Sequence, residues 1–392
     1  MKPVIWNGDL DSPSGYSKAI RNNMRALLTV GVDVIGRQHK HDSHDAPLDE
    51  FWIENMPKVM TAKEPPQGKL IKVCQETPEF YHPDPSYYNI AFLVWETDRI
   101  PDWDIGGNPT HNWVKQLNKM DEVWTACVHN AEVFRKSGVT KPIYVFPHPI
   151  DLELFKPGDR TEMINMRTLA PTNLQKFTLL SVFQWSKRKN PDGLIANFLA
   201  EFWDQEDVHL LIKSYGATFA DKESVKLAVS ELKQLLKLRY TKPGIQVVNK
   251  LIPDKELPEL YNSCDAFILP SYGEGFGLPY QEAMACGKPT IFTNVTAQKD
   301  FCNAENGYPV ECYLEPTYGM KWIPWYSAHQ NWYKADSTSL RQAMRSAYND
   351  WKANTIQHKG EIARKTIEQL HSYETVGKDF RARIEEIYST IK

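Results

Sequence analysis

Short apolar runs of four to eight residues, rich in β-branched and aromatic side chains, recur along this chain, and longer stretches with helical spacing separate them. That alternation predicts parallel strands joined by helical crossovers, an α/β architecture. In the first part the predicted strands are Pro3–Asn7, Val32–Gly36, Leu70–Gln75, Ile90–Trp95, Glu122–Cys127 and Ile143–Phe146. In the second they are Thr178–Phe183, Val208–Ile212, Ile245–Val248, Ala266–Leu269 and Pro289–Phe292. Between the two sets lies Leu154-Phe155-Lys156-Pro157-Gly158, whose Pro-Gly step suits a chain leaving one sheet for another. Two doubly wound domains are therefore expected, over 1–157 and 170–374, with a C-terminal helix at 375–392 packing back on the first. Ligands of such sheets sit beyond the carboxyl ends of the strands, so a cleft between the domains is the expected site.

Composition narrows the function classes. The 392 residues hold 46 Lys+Arg against 49 Asp+Glu, a formal charge of −3, which argues against a chain coated for polyanions. No run approaches the roughly 18 uninterrupted apolar residues of a membrane span, and Met1-Lys2-Pro3-Val4-Ile5-Trp6 lacks a signal-peptide apolar core. A soluble, cytoplasmic protein is expected, with peripheral membrane contact left open. The six cysteines include no C-x-x-C pair and mostly fall in apolar runs, so they read as reduced packing residues.

The most informative segment runs from Phe267 to Pro289. A buried strand ends at Pro270, a glycine-punctuated loop follows, Pro279 suits a helix start, and Gly287 suits its end. Gly275 and Gly277 leave the backbone uncovered, so N–H groups near Phe276, Gly277 and Leu278 can face an anion. Glu274 before the helix and Glu282 in its first turn bracket this phosphate-suited site. Glu282 could equally do no more than complement the helix N-terminus.

This segment closely resembles the E-x7-E signature of retaining nucleotide-sugar glycosyltransferases of the family 4 type, which have the GT-B fold. Further motifs follow in the family's order: Ser14-Gly15-Tyr16 with its helix and Gly31-Val-Asp-Val, then Asp121-Glu-Val-Trp-Thr, then Val145-Phe-Pro-His-Pro-Ile-Asp151 with Phe155-Lys-Pro157. Ser181-Val-Phe-Gln-Trp-Ser-Lys-Arg188-Lys189-Asn-Pro-Asp and Leu257-Pro-Glu-Leu-Tyr-Asn-Ser-Cys-Asp265 complete the set, which spans most of residues 1–310. The resemblance implies that Glu282 holds the donor ribose and Glu274 contacts the transferred sugar. It also implies that Arg188 and Lys189 neutralise the diphosphate leaving group, and that Gly15 approaches the same diphosphate. The donor would be a UDP- or GDP-sugar, with no cofactor or metal, and retention would proceed on the front face without an enzyme nucleophile. By composition alone, Lys187-Arg188-Lys189 would instead be a solvated basic run.

The chain departs from the family where Phe183-Gln184 replaces a common Gly-Arg and Pro149 a glycine. Glu96, after the predicted strand Ile90–Trp95, is a candidate for the sugar-facing position, with His129 and His148 as further candidates. Asp9-Leu-Asp11 and Asp102-Trp-Asp104 are too short a signal for a metal site. The aromatic stretch Tyr318–Tyr333 reads as a pinned loop or a sugar-stacking platform.

The acceptor is expected on the N-terminal side, near Tyr16 and Arg21. Residues 1–168 carry 19 Lys+Arg against 23 Asp+Glu, yet Lys18, Arg21 and Arg25 recur at helical spacing, and Arg37, His39, Lys40, His41 and His44 follow. A solvated helix face or a patch for a phosphate-bearing acceptor both fit. The leading acceptor is a saccharide or lipid-linked saccharide hydroxyl, and the alternative is a hydroxylated base in phage-type DNA. A further alternative is a scaffold that binds a nucleotide sugar without transferring it.

Overall fold

The computed structural model describes residues 1–39, 48–66, 68–159, 176–215, 224–238, 241–249, 252–321 and 323–391. They form two compact units. The first comprises Met1–Asp151, Ile323–Gln330 and Gln369–Lys392, and the second Leu152–Trp322 and Asn331–Glu368.

The first unit is built on β1 (Val4–Gly8), β2 (Val34–Gln38), β3 (Leu70–Gln75), β4 (Tyr87–Phe92), β5 (Glu122–Thr125) and β6 (Ile143–Val145). All pairs are parallel in the order β2-β1-β3-β4-β5-β6. The central strands are buried on both sides, so they read as near-continuous apolar runs. Helices α1 (Gly15–Thr29), α2 (Glu50–Thr61), α3 (Trp113–Leu117) and α4 (Val128–Lys136) supply crossovers and cover. α1 starts where Ser14 caps it, its hydroxyl accepting from the Ser17 N–H, and turns Ile20, Met24 and Leu27 inward.

The last helix, Tyr373–Thr390, packs on α1. A Cβ at Gly377 would stand 2.4 Å from the Ala26 carbonyl oxygen, so only glycine permits that approach. Phe380 enters a ring cluster with Trp6, Phe92, Trp124 and Phe146. Arg383 on the same helix pairs with the fully buried Glu122.

The second unit is built on β7 (Phe177–Gln184), β8 (Val208–Tyr215), β9 (Gly244–Val248), β10 (Ala266–Leu269), β11 (Thr290–Thr293) and β12 (Gly307–Val310). They too are all parallel, in the order β12-β11-β10-β7-β8-β9. Its helices are α5 (Pro191–Phe202), α6 (Ser224–Leu235), α7 (Leu257–Asn262), α8 (Leu278–Ala285), α9 (Ser337–Lys352) and α10 (Ile356–Leu370). An antiparallel hairpin of β13 (Cys312–Pro316) and β14 (Asn331–Ala335) follows the sheet.

Eleven strands fall where the apolar runs predict, although β4 starts at Tyr87 and ends at Phe92, which leaves Glu96 four residues beyond it. β12, with Gly307 and Pro309, and the hairpin have no such run. β12 is an edge strand, where Pro is tolerated and one partner suffices. The six cysteines are free thiols, and all but Cys312 are buried. Burial pushes the Cys74 thiol up to about 11 and the Cys302 thiol to about 12, which suits packing and not nucleophilic chemistry. No helix among the described residues is long and apolar enough to cross a membrane.

Candidate functional site

In the second unit the strand order reverses between β7 and β10. The chain leaves β7 toward β8 on one side and leaves β10 toward β11 on the other. Loops that diverge from adjacent parallel strands open a crevice at their carboxyl ends. The loop after β7 makes a single tight turn over Lys187–Lys189, then Asn190 begins α5. Asn190 adopts a left-handed conformation (φ 55°), which a short amide side chain tolerates better than most. Its Oδ1 accepts from the Gly193 N–H at 3.1 Å and its Nδ2 donates to the Pro270 carbonyl at 3.1 Å. One residue thus caps a helix and stitches the two loops together. The Tyr272 N–H donates to the Arg188 carbonyl at 2.8 Å, and Arg188 Nη1 to the Gly273 carbonyl at 2.8 Å.

These stitches deliver Glu274 to the basic turn. Its carboxylate is 5% exposed and accepts from Lys189 Nζ at 2.6 and 2.8 Å, with Arg188 Nη1 at 3.4 Å. Burial alone pushes the Glu274 carboxyl up, but Lys189 and Arg188 outweigh it and hold the group below the usual glutamate range. Glu274 is therefore an anion at neutral pH with two cations beside it. Lys187 points elsewhere, its Nζ lying 5.4 Å from the Tyr272 ring centre and 5.1 Å from that of Tyr318. Lys187-Arg188-Lys189 is thus not a uniformly solvated run.

Helix α8 starts one residue earlier than Pro279 suggests, at Leu278, so Glu282 is its fifth residue and lies in the second turn. Gly277 precedes it at φ 93° and provides no side-chain cap, and no acidic residue stands in the first turn. The Tyr280 and Gln281 N–H groups fold back onto the Gly277 carbonyl, and Pro279 has no N–H. The amides of Gly277 and Leu278 remain outside the helical ladder, where a helix end favours an anion. Phe276 is buried and packs on Phe301 at 5.5 Å. At the other end Gly287 (φ 69°) closes the helix, with N–H bonds from Gly287 and Lys288 to the Met284 and Ala283 carbonyls.

Glu282, 5% exposed, accepts from the Tyr261 hydroxyl at 2.6 Å. Burial first, and Glu282 second, raise the Tyr261 phenol well above its ordinary value, so it remains a donor. Tyr261 lies inside a motif legible in the sequence, but its partnership with Glu282 does not follow from spacing. Thr296 is a second addition. Its hydroxyl accepts from the Glu274 N–H at 3.2 Å from a backbone at φ 55°, a conformation a β-branched residue rarely adopts. The apparent glycosylation sequon Asn294-Val-Thr296 is in this way part of the support for Glu274.

In the first unit, Gly15 is exposed at the first position of α1, next to Tyr16. Arg21 is 5% exposed, and its guanidinium donates to the Leu10 and Ser12 carbonyls at 3.1 Å each, latching the loop after β1. Arg25 pairs with Asp151 at 2.9 Å and Asp49 at 3.4 Å and packs on the Phe51 and Tyr373 rings. Helical spacing put Arg21 and Arg25 in one basic stripe, whereas folding gives each an internal partner. Lys40, His41 and His44 lie outside the described residues, as do Lys250, Leu251 and Trp322.

Glu96 accepts from the Tyr326 hydroxyl at 2.9 Å, and Tyr326 stacks on Trp95 at 4.8 Å while Trp325 packs against Trp113 at 5.4 Å. His148 is buried against Phe92 at 5.2 Å, and burial together with His371 lowers it to about 3. It is a neutral core residue. The paired aspartates are engaged as well, since the Gln38 amide donates to Asp9 and Asp11 at 3.2 and 2.9 Å, and Lys115 holds Asp104.

Residues 166–317 match the family described as glycosyl transferases group 1. The chain is 52% identical over 46 residues to O-antigen chain mannosyltransferase B of Escherichia coli, covering 12% of each. It is 32% identical over 117 residues to the serotype-specific mannosyltransferase WbdA of Escherichia coli, covering 27% of this chain and 14% of that one. It is 30% identical over 156 residues to the D-inositol 3-phosphate glycosyltransferase of Arthrobacter sp. (strain FB24), covering 39% and 34%. The matches thus span 12% to 34% of those relatives' lengths.

Solved structures are similar over nearly the whole chain. The sucrose-phosphate synthase of Thermosynechococcus elongatus superposes with a TM-score of 0.66 at 17% identity, over 99% of this chain and 100% of that one. Anabaena Alr3699/HepE in complex with UDP and glucose gives 0.66 at 13% identity, over 98% and 100%. With its two doubly wound parallel sheets of six strands, the chain has the GT-B fold, and its glycosyl transferases group 1 segment spans the loops that join Glu274 to Lys189.

Proposed function

We propose that this protein is a retaining, metal-independent glycosyltransferase that moves a sugar from a nucleoside-diphosphate sugar to a hydroxyl of a saccharide or lipid-linked saccharide. The observation that supports this most is Glu274, buried between Lys189 and Arg188 where β7 and β10 part, beside the uncapped start of α8. Breaking the donor's glycosidic bond leaves negative charge on a diphosphate. Preorganised cations and helix-terminal amides that meet this charge lower the barrier more than they tighten ground-state binding. In this reading Lys189, Arg188 and the Gly277 and Leu278 amides receive the diphosphate, and Glu274 orients both the cations and the transferred sugar. Glu282, oriented by Tyr261, takes the ribose hydroxyls, a pair of acceptors suited to a diol.

The two carboxylates do not act as a glycosidase pair in this scheme, because the donor's own phosphate oxygen can take the acceptor proton. The similarity to mannosyltransferases and to a UDP complex supports sugar transfer and leaves UDP and GDP donors as the two to compare. The test is transfer from a panel of UDP- and GDP-sugars, with and without EDTA, followed by NMR of the product. An α product from an α donor, unaffected by EDTA, is expected. Inversion, or loss of activity on chelation, would contradict the assignment.

A further inference from the structure

The helix α6 and the turn after it carry a pattern of charge and exposure that sugar transfer does not explain. From Ser224 to Lys242 the sequence holds Lys226, Lys233, Lys237, Arg239 and Lys242 against Glu231 alone, in a chain whose formal charge is −3. Asp221 and Glu223 come earlier, before the helix starts. α6 packs on α5, with Val229 buried and Leu232 and Leu236 half-buried on its inner side. These residues supply the apolar stripe that a covering helix needs. Three more leucines lie outside that stripe. Leu227 is 59% exposed, Leu235 74% and Leu238 38%. Leu227 and Leu235 stand four residues either side of Glu231, so the three share the outer face.

The turn that follows enlarges this surface. Lys237 adopts a left-handed backbone (φ 49°) just after the helix, and Leu238 comes next. The chain then returns to α5, where the Lys242 N–H donates to the Trp203 carbonyl at 2.9 Å and Lys242 Nζ pairs with Glu206 at 3.1 Å. Trp203, at the end of α5, is itself 41% exposed. Leucines and a tryptophan thus reach solvent along a segment rich in lysine.

Charge and apolar exposure together select the partner. A second copy of this face would set Lys233 and Lys237 against their own equivalents, which disfavours self-pairing. A nucleic acid would engage the lysines but gain nothing from covering leucines with phosphates. An anionic bilayer takes both, because its acyl boundary accepts Leu and Trp while lysine stems run along the apolar surface and leave their ammonium groups among the headgroups. With twelve residues, α6 is long enough to lie on a membrane and too short to cross one.

We propose that α6, the Lys237 turn and Trp203 form a peripheral binding surface for anionic lipid, with the leucines at the acyl boundary and the lysines at the headgroups. This surface holds the second unit to a membrane without a spanning segment.

The test is co-sedimentation of the full chain with vesicles of phosphatidylglycerol and phosphatidylcholine in equal parts, and with vesicles of phosphatidylcholine alone. Binding to the mixed vesicles is expected to be about tenfold tighter or more, and to weaken as salt rises. Leu227→Ser with Leu235→Ser should weaken it about tenfold at low and high salt alike. Lys233→Gln with Lys237→Asn should weaken it about tenfold at low salt and flatten the salt dependence, Asn being a residue that tolerates the left-handed backbone at 237. All four positions are exposed, so melting temperatures should match wild type. If the paired leucine variant melts lower, Leu235→Ser alone should still weaken binding about threefold. Absence of binding to the mixed vesicles, equal binding to the neutral ones, or unchanged binding in both variants would overturn the proposal. So would release from the vesicles by a short DNA duplex, or a dimer in solution that the leucine substitutions dissociate. No readout involves a donor or an acceptor, so this proposal and the glycosyltransferase reading fail separately.

Discussion

The two sheets of this molecule share one backbone device, a reversal of strand order, and differ in how the described charged side chains beside it are engaged. After β7 and β10, a buried carboxylate is matched by Lys189 and Arg188. After β1 and β3, Glu79 accepts from the Thr77 hydroxyl, and the neighbouring Arg21 serves loop carbonyls. Parallel sheets decide where a ligand can sit. The few residues that follow the strands decide which charges stand there.

Substitution of Lys189 should separate the sites most sharply. Lys189→Ala leaves Glu274 buried beside Arg188 alone, so kcat should fall by about 10²–10³ and stability by roughly 3 kcal/mol. Initial rates and urea denaturation read the two effects. Glu274→Gln should likewise lower kcat more than it raises donor KM. Arg21→Ala at the other switch point should cost about 2 kcal/mol in the same denaturation assay, since two loop carbonyls lose a charged donor. Its donor KM should stay put, and a large change there would undo the contrast.

Acid should also act unequally. His148 and His371 are buried, and burial, with mutual repulsion at His148, lowers both to about 3 from an ordinary 6.5. The unfolded chain therefore binds their protons first. Their neutral packing is fully in place above pH 6.5, and stability declines below it by up to about 1.4 kcal/mol per pH unit for each. The Glu274 carboxyl lies below its ordinary value, so its contribution persists through that window and is lost only at lower pH. Urea midpoints should stay level from pH 8 to about 6.5 and fall from there to pH 5, and a flat profile over that lower range would break this assignment. The smallest effect belongs to Tyr261→Phe, which should raise donor KM a few-fold through Glu282 and leave kcat near wild type, as steady-state kinetics would show.

Much of this was legible in the sequence for identifiable reasons. Central strands buried on both faces must be apolar throughout and stand out as runs, the edge strands β2, β6 and β9 keep short apolar runs of their own, and Gly277 and Gly287 mark α8 because each needs a positive φ. What escaped depends on tertiary partners. Helical spacing cannot tell that Arg21 turns inward to the Leu10 and Ser12 carbonyls, that the Tyr261 hydroxyl reaches Glu282, or that Thr296 supports the Glu274 backbone. β12 was invisible because Gly307 and Pro309 interrupt its apolar run, which an edge position tolerates.

The central claim is that Glu274, Lys189 and Arg188 form the donor site. Release of nucleoside diphosphate from a UDP- and a GDP-sugar, followed in wild type, Lys189→Ala and Glu274→Gln, tests it most directly. The account predicts that wild type cleaves at least one donor and that both variants do so at least 10²-fold more slowly. Equal rates in all three proteins, or failure of wild type to release diphosphate from any donor, would contradict it.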